Sequence, residues 1–115
     1  MTVLMIGGAY QGKKELAKKL FNLNDNDFNR IDGKAVYNLH DYIKNNNIPN
    51  ITDFANSLRD KVIICNEIGC GVIPINKELD NWREITGRVC CEIASFADIV
   101  IRVTAGIPQF IKGRI

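Results

Sequence analysis

The hydrophobic positions of this chain form two kinds of pattern, and the first kind is a short apolar run. Two such runs end at glycine or polar residues, namely residues 2–6 and 62–65, and residues 99–103 form a third stretch, which is apolar except for Arg102. Runs of this kind are typical of strands that are buried on both faces, as in a parallel sheet. We therefore predict three core strands. Residues 30–33 can form the end of another short strand, and the tail after residue 105 can add an edge strand.

The second pattern repeats apolar residues at helical spacing, and it occurs in four stretches. The first predicted helix begins after Gly12, and the second contains Val36, Leu39 and Ile43 on one face. The third spans residues 51–59 with Asn50 as its N-cap, and the fourth spans about residues 77–96. The polar stretch 22–29 predicts a loop.

The order of these elements predicts the fold. Strands alternate with helices, which favours an α/β fold in three layers: a mostly parallel sheet of about four to five strands, flanked by helices. A length of 115 residues corresponds to one domain, so we expect residues 1–115 to form a single domain. Ligands of such sheets bind at the carboxyl ends of the strands. Two predicted strand ends carry candidate chemistry, namely residues 7–13 and the pair Asn66 and Glu67.

The first strand end has the pattern G-x-x-x-x-G-K. The loop consists of Gly7, Gly8, Ala9, Tyr10, Gln11, Gly12 and Lys13, and Lys14 follows it. Glycines let consecutive backbone N–H groups face an anion, and the start of the following helix adds free N–H groups. The lysine reaches the β and γ phosphates of a nucleotide. We therefore predict a P-loop that binds ATP or GTP. The alternative is a simple glycine turn with Lys13 as an ordinary surface lysine.

Lys14 departs from this pattern. The position normally carries Ser or Thr, whose hydroxyl ligates Mg²⁺, and an ammonium cannot ligate a cation. Three readings stay open: other groups hold the metal, Lys14 partly replaces its charge, or catalysis is lost. A fourth is that Lys14 points to solvent. The use of Mg²⁺ is therefore in doubt.

Composition and charge give no support for a membrane protein, a nucleic-acid-binding protein or a zinc protein. No apolar run reaches the ~18 residues of a membrane helix, and the start lacks a signal-peptide pattern, so we expect a cytoplasmic protein. A net charge of +2 gives no indication of nucleic-acid binding. The four cysteines lack zinc-site spacing, and we interpret them as buried thiols: Cys65, Cys70, Cys90 and Cys91.

Three motifs occur in order along the second half of the chain. They are N-E-I-G-C-G-V-I-P at residues 66–74, W-R-E-I-T-G-R-V at 82–89, and G-I-P-Q-F-I-K at 106–112. Together with the glycine loop, they resemble the bifunctional adenosylcobinamide kinase / adenosylcobinamide-phosphate guanylyltransferase family of cobalamin biosynthesis. The resemblance covers about residues 1–20 and 61–112.

The resemblance implies transfer of the γ-phosphate of ATP or GTP to adenosylcobinamide. Lys13 would stabilise the transferring phosphate, and Asp32 or Glu67 would bind Mg²⁺. Glu67 could instead orient the accepting hydroxyl, or it could cap the turn at residues 69–71.

The chain also departs from the family pattern. Lys14 replaces a serine, Cys90 replaces an asparagine, and the chain lacks a central segment between the first helix and about Arg30. In the family this segment supplies the histidine that takes up GMP, so we do not expect guanylyl transfer. We interpret His40 as a helix-surface residue. The alternative function is a non-catalytic nucleotide-binding or interaction protein. A shortened domain could also form a homo-oligomer through exposed apolar surface.

Overall fold

The computed structural model describes residues 1–67 and 77–115. Within these residues, one sheet is formed by five strands: β1 (Val3–Gly7), β2 (Ala35–Val36), β3 (Val62–Asn66), β4 (Ile99–Thr104) and β5 (Ile107–Lys112). Their order in the sheet is β2-β3-β1-β4-β5. The first four are parallel, and β5 pairs with β4 in the antiparallel direction. The prediction of a mostly parallel sheet is confirmed, including the edge strand in the tail.

Helices cover both faces of the sheet. They are α1 (Lys13–Phe21), α2 (Leu39–Asn45), α3 (Ile51–Asn56) and α4 (Lys77–Phe96). Alternate side chains of β1 point to opposite faces. Val3 and Met5 pack in the cluster that contains Ala17 of α1. Leu4 packs in the cluster that contains Val89 and Ile93 of α4. The predicted three-layer architecture is therefore confirmed.

The region between α1 and α2 differs from the prediction. Residues 30–33 lie in a turn, and strand β2 begins only at Ala35. Val36 therefore lies in a strand rather than in the predicted second helix. That helix begins at Leu39, because Asn38 takes a left-handed conformation with φ 53°. The predicted loop 22–29 contains a 3₁₀ turn, Asp25–Phe28, which a capping box closes at its start.

The helix α3 begins where the sequence predicts, and it ends three residues earlier. The side chain of Asn50 accepts a hydrogen bond from the Asp53 N–H at 2.9 Å, which confirms the predicted N-cap. The predicted interpretation of the cysteines holds only in part. Cys65 is buried in β3, whereas Cys91 is exposed on α4. A hydrogen bond with Cys90 and burial raise the pKa of Cys65, so this thiol stays protonated. Cys70 lies outside the described residues.

The carboxyl ends of β1 and β3 lie level with each other. Gly7 is in register with Asn66, and the N–H of Glu67 donates to the carbonyl of Gly7 at 2.8 Å. This bond holds the two strand ends that carry the predicted chemistry side by side. Among the described residues, the helices are too short or too polar to cross a bilayer.

Candidate nucleotide phosphate site

The glycine loop joins β1 to α1, and its backbone conformation requires glycine. A Cβ on Gly7 would lie 2.5 Å from the carbonyl oxygen of Val103 on the neighbouring strand, so no other residue fits there. Gly12 is the N-cap of α1 in a left-handed conformation with φ 82°, and it makes no side-chain cap. The first N–H groups of α1 therefore remain available to an anion, and the helix dipole favours negative charge at this point.

Lys13 is buried, and its ammonium group folds back over the loop. Its Nζ donates to the carbonyl of Gly8 at 2.6 Å and to that of Gly7 at 3.3 Å. Burial lowers the pKa of Lys13, and the negative charge of Glu67 partly opposes this effect. A buried cation that is held by backbone carbonyls differs from an ordinary surface lysine. It can exchange these carbonyls for phosphate oxygens, which are stronger acceptors because they are charged.

A cleft of about 430 Å³ opens at this end of the sheet. One wall is the loop and the first turn of α1. The other wall comes from residues 37–41, and Asn66 of β3 contributes as well. The cleft therefore places the predicted loop residues 9–14 opposite Tyr37, Asn38, His40 and Asp41.

Gln11 ties the loop to the hairpin between β4 and β5. Its side-chain oxygen accepts from the N–H of Ala105 at 2.6 Å, and its carbonyl accepts from the N–H of Gly106 at 2.8 Å. Ala105 and Gly106 both have positive φ, as a two-residue hairpin turn requires. Gly106 is a turn signal in the sequence, but no local pattern predicts that the turn contacts the glycine loop.

Lys14 does not point to open solvent. Its Nζ lies 4.9 Å from the ring centre of Tyr37 and 5.3 Å from that of Phe28. Asp25 Oδ1 is 3.8 Å away. These contacts hold the Lys14 side chain against the 3₁₀ turn and residue 37.

The two carboxylates predicted as metal ligands lie in different places. Glu67 is at the carboxyl end of β3, and its Oε2 is 3.0 Å from Arg102 of β4. Asp32 precedes β2 and therefore lies at the opposite edge of the sheet, exposed and paired with Arg30 at 2.8 Å. The structure brings Glu67 to the site and does not bring Asp32 there. The proposed cap of Glu67 on residues 69–71 falls outside the described residues.

A P-loop Mg²⁺ site needs a hydroxyl after the lysine and a carboxylate at a strand end. Here an ammonium stands at the first position, Glu67 faces an arginine, and Asp32 is remote. The described residues contain no group of three or more metal-binding side chains. Within residues 1–67 and 77–115, the side chains present therefore do not fit a P-loop Mg²⁺ site.

The prediction for His40 is wrong. His40 is 6% exposed, and its Nδ1 accepts a hydrogen bond from the backbone N–H of Asn66 at 3.0 Å. Its carbonyl accepts from the indole N–H of Trp82 at 2.7 Å. The spacing of apolar residues predicts a helix around His40. The burial of His40 comes from the packing of α2 against the end of β3, which the sequence does not show.

Comparison with known proteins supports the family resemblance that the motifs indicate. The family model described as cobinamide kinase / cobinamide phosphate guanyltransferase matches residues 33–111, which is more than half of the chain. The bifunctional adenosylcobalamin biosynthesis protein CobU of Salmonella typhimurium is 41% identical over 51 residues. These residues are 44% of this chain and 28% of that relative, so the match spans less than a third of the relative's length. The matched family region begins after the glycine loop, whose assignment rests on its own geometry. The chain belongs to the cobinamide kinase / cobinamide phosphate guanyltransferase family.

Proposed function

We propose that residues 1–115 act as one P-loop nucleotide-binding domain in the cytoplasm, and that this domain transfers the γ-phosphate of ATP or GTP to adenosylcobinamide. The observation that carries the proposal is Lys13. Its ammonium is buried at the start of α1 and is held only 2.6 Å from a loop carbonyl, beside a cleft that can hold a phosphate chain. Family membership supports the choice of acceptor.

The loop and Lys13 would do most of the chemical work. Backbone N–H groups of residues 8–13 bind the β-phosphate, and Lys13 moves from the carbonyls to the β and γ phosphates. The accepting hydroxyl then attacks the γ-phosphorus and releases its proton to water, while the bond to the bridging oxygen breaks, so that a nucleoside diphosphate leaves. Positioning and charge neutralisation account for most of the catalysis of such transfers. Glu67 at the strand end is our proposed group for orienting the hydroxyl.

A second candidate function is nucleotide binding without catalysis. Lys14 favours it, because the hydroxyl that normally ligates Mg²⁺ is replaced by an ammonium packed against Tyr37. Guanylyl transfer is not proposed. A homo-oligomer stays a prediction, and the exposed side chains of Ile107 and Ile111 on the edge strand β5 would suit it.

Titration of the purified protein with ATP and with GTP tests the shared part of both functions. Each titration is run with Mg²⁺ and with EDTA, and Lys13→Met serves as the matched control. Labelled ATP and adenosylcobinamide then test transfer. Binding followed by labelled product supports the kinase. Binding that is indifferent to Mg²⁺, without turnover, leaves the non-catalytic function, and wild-type protein that binds neither nucleotide overturns both.

A further inference from the structure

His40 is a buried imidazole in the wall of the phosphate cleft, and the mechanism above does not use it. The cleft lining contains both His40 and the glycine loop with Lys13. The backbone N–H of Asn66 donates to its Nδ1 at 3.0 Å. Many buried histidines only stabilise the fold. A binding role for His40 therefore depends on its second ring nitrogen, Nε2.

The hydrogen bond to Nδ1 determines where the proton lies. An imidazole nitrogen that accepts a hydrogen bond carries no proton, so the neutral ring is protonated on Nε2. Burial holds the pKa of His40 below its usual value. The charge of Asp41 opposes this effect and that of Lys13 adds to it, so the neutral form prevails at neutral pH. Nε2 is 3.7 Å from Asp41 Oδ1, which is beyond hydrogen-bond distance. The ring is therefore fixed at one nitrogen and has an N–H donor at the other.

The strand ends place the His40 side chain beside the glycine loop, in the lining of the same cleft. A P-loop binds the inner phosphates through its backbone, and its lysine reaches the outer ones. His40 contacts the last residue of β3, which is in register with Gly7, the first residue of the loop. Lys13 Nζ rests on the carbonyls of Gly7 and Gly8 at the same edge. The terminal phosphate of a bound nucleotide would therefore lie between Lys13 and His40.

We propose that His40 donates a hydrogen bond from Nε2 to the terminal phosphate of a bound nucleoside triphosphate, and that it thereby helps the site to prefer triphosphates over diphosphates. This inference rests on the proposed phosphate site. Asp41, in the same wall, does not oppose it strongly, because its side chain is 59% exposed and its charge is screened by water. The contact needs no proton transfer and no change of covalent bonds at the ring.

Two conservative variants separate donation from structural support. In His40→Asn, the amide oxygen can replace Nδ1 as the acceptor for the Asn66 N–H, but the Nε2 donor is lost. In His40→Gln, the longer amide can place an N–H near the position of Nε2, but the acceptor for Asn66 is lost. Affinities for ATP and for ADP are measured by calorimetry in EDTA, and the thermal midpoint of each variant is recorded in parallel.

We expect His40→Asn to weaken ATP binding by about ten- to hundredfold, the range for a hydrogen bond to a charged group. Its affinity for ADP and its thermal midpoint should stay close to wild type. His40→Gln should recover most of the ATP affinity while losing thermal stability.

Three results would overturn this role. The first is a His40→Asn protein that retains the wild-type preference for ATP over ADP. The second is an equal loss of ATP and ADP affinity in both variants, and the third is wild-type protein that binds both nucleotides equally. Wild-type protein that binds neither nucleotide removes the proposed function itself, and this outcome is distinct from the other three.

Discussion

Replacing Lys14 by serine tests how the structure uses the unusual residue of the loop. The change removes an ammonium that lies 4.9 Å from the Tyr37 ring centre and 5.3 Å from that of Phe28. A cation–π contact at a partly exposed site contributes about 0.5–1 kcal/mol. The ion pair with Asp25 adds little, because it is 3.8 Å long and Asp25 lies closer to Lys18, at 3.0 Å. The two ring contacts together therefore give a loss of roughly 1–2 kcal/mol.

For a domain of this size, such a loss should lower Tm by about 4–8 °C. Scanning calorimetry of wild type, Lys14→Ser and Lys14→Met measures it. The methionine variant keeps most of the hydrocarbon stem and removes the charge, so it should lose nearly as much if the ring contacts act through the cation. A Lys14→Ser protein that melts at or above the wild-type temperature would refute this account of the side chain.

The serine variant also restores the hydroxyl that a P-loop metal normally uses. Because Asp32 is at the opposite edge of the sheet and Glu67 faces Arg102, we expect no gain in Mg²⁺ dependence of ATP binding. Calorimetric titration with and without Mg²⁺ measures this difference. A clear gain with Mg²⁺ would show that the other metal ligands are present after all.

Three further predictions follow from the backbone and from the buried groups. Gly7→Ala should lower the free energy of unfolding by about 1–3 kcal/mol, because the added Cβ would meet the Val103 carbonyl. Gly87→Ala should raise the free energy of unfolding by about 0.5–1 kcal/mol, because the added Cβ meets no atom within 4 Å. Urea denaturation of both variants measures the two changes. Lys13→Met should weaken ATP binding by about ten- to hundredfold in calorimetry, with no loss of Tm, because it removes a desolvated charge. Burial keeps the pKa of His40 low, so the unfolded chain takes up a proton at a higher pH than the folded chain does. The free energy of unfolding should therefore fall as pH drops below about 6.5 and level off below the folded-state pKa. A plot of urea midpoint against pH measures this fall, and His40→Asn should flatten it.

The parts of the fold that the sequence predicts well are those with long local patterns. Strands β1 and β3 are apolar runs, β4 is one that only Arg102 interrupts before Thr104, and α4 carries a periodic stripe over 20 residues. Strand β2 has only two residues, Ala35 and Val36, and its conformation comes from pairing with β3. No local pattern of that length can distinguish a strand from the start of a helix.

The candidate site also has one part that the sequence predicts and one part that it does not. The glycine loop was predictable because strand, loop and helix are contiguous in the chain. The opposite wall was not, because the burial of His40 depends on how α2 packs against the end of β3. Asp32 shows a related limit: the sequence predicts it at the end of a short strand, whereas the structure has it in a turn before β2. A residue that precedes a parallel strand lies at the end of the sheet away from the site.

The bonds between Gln11 and the hairpin at Ala105 and Gly106 have a consequence for synthesis of the protein. They join Gln11 to Ala105 and Gly106, so the loop gains this support only after the residues of the hairpin have left the ribosome. A nascent chain that ends before the hairpin lacks both backbone donors. Because a ligand stabilises only the state that binds it, nucleotide would favour the completed fold over shorter intermediates. The proposed nucleotide binding would therefore follow synthesis of the hairpin rather than precede it.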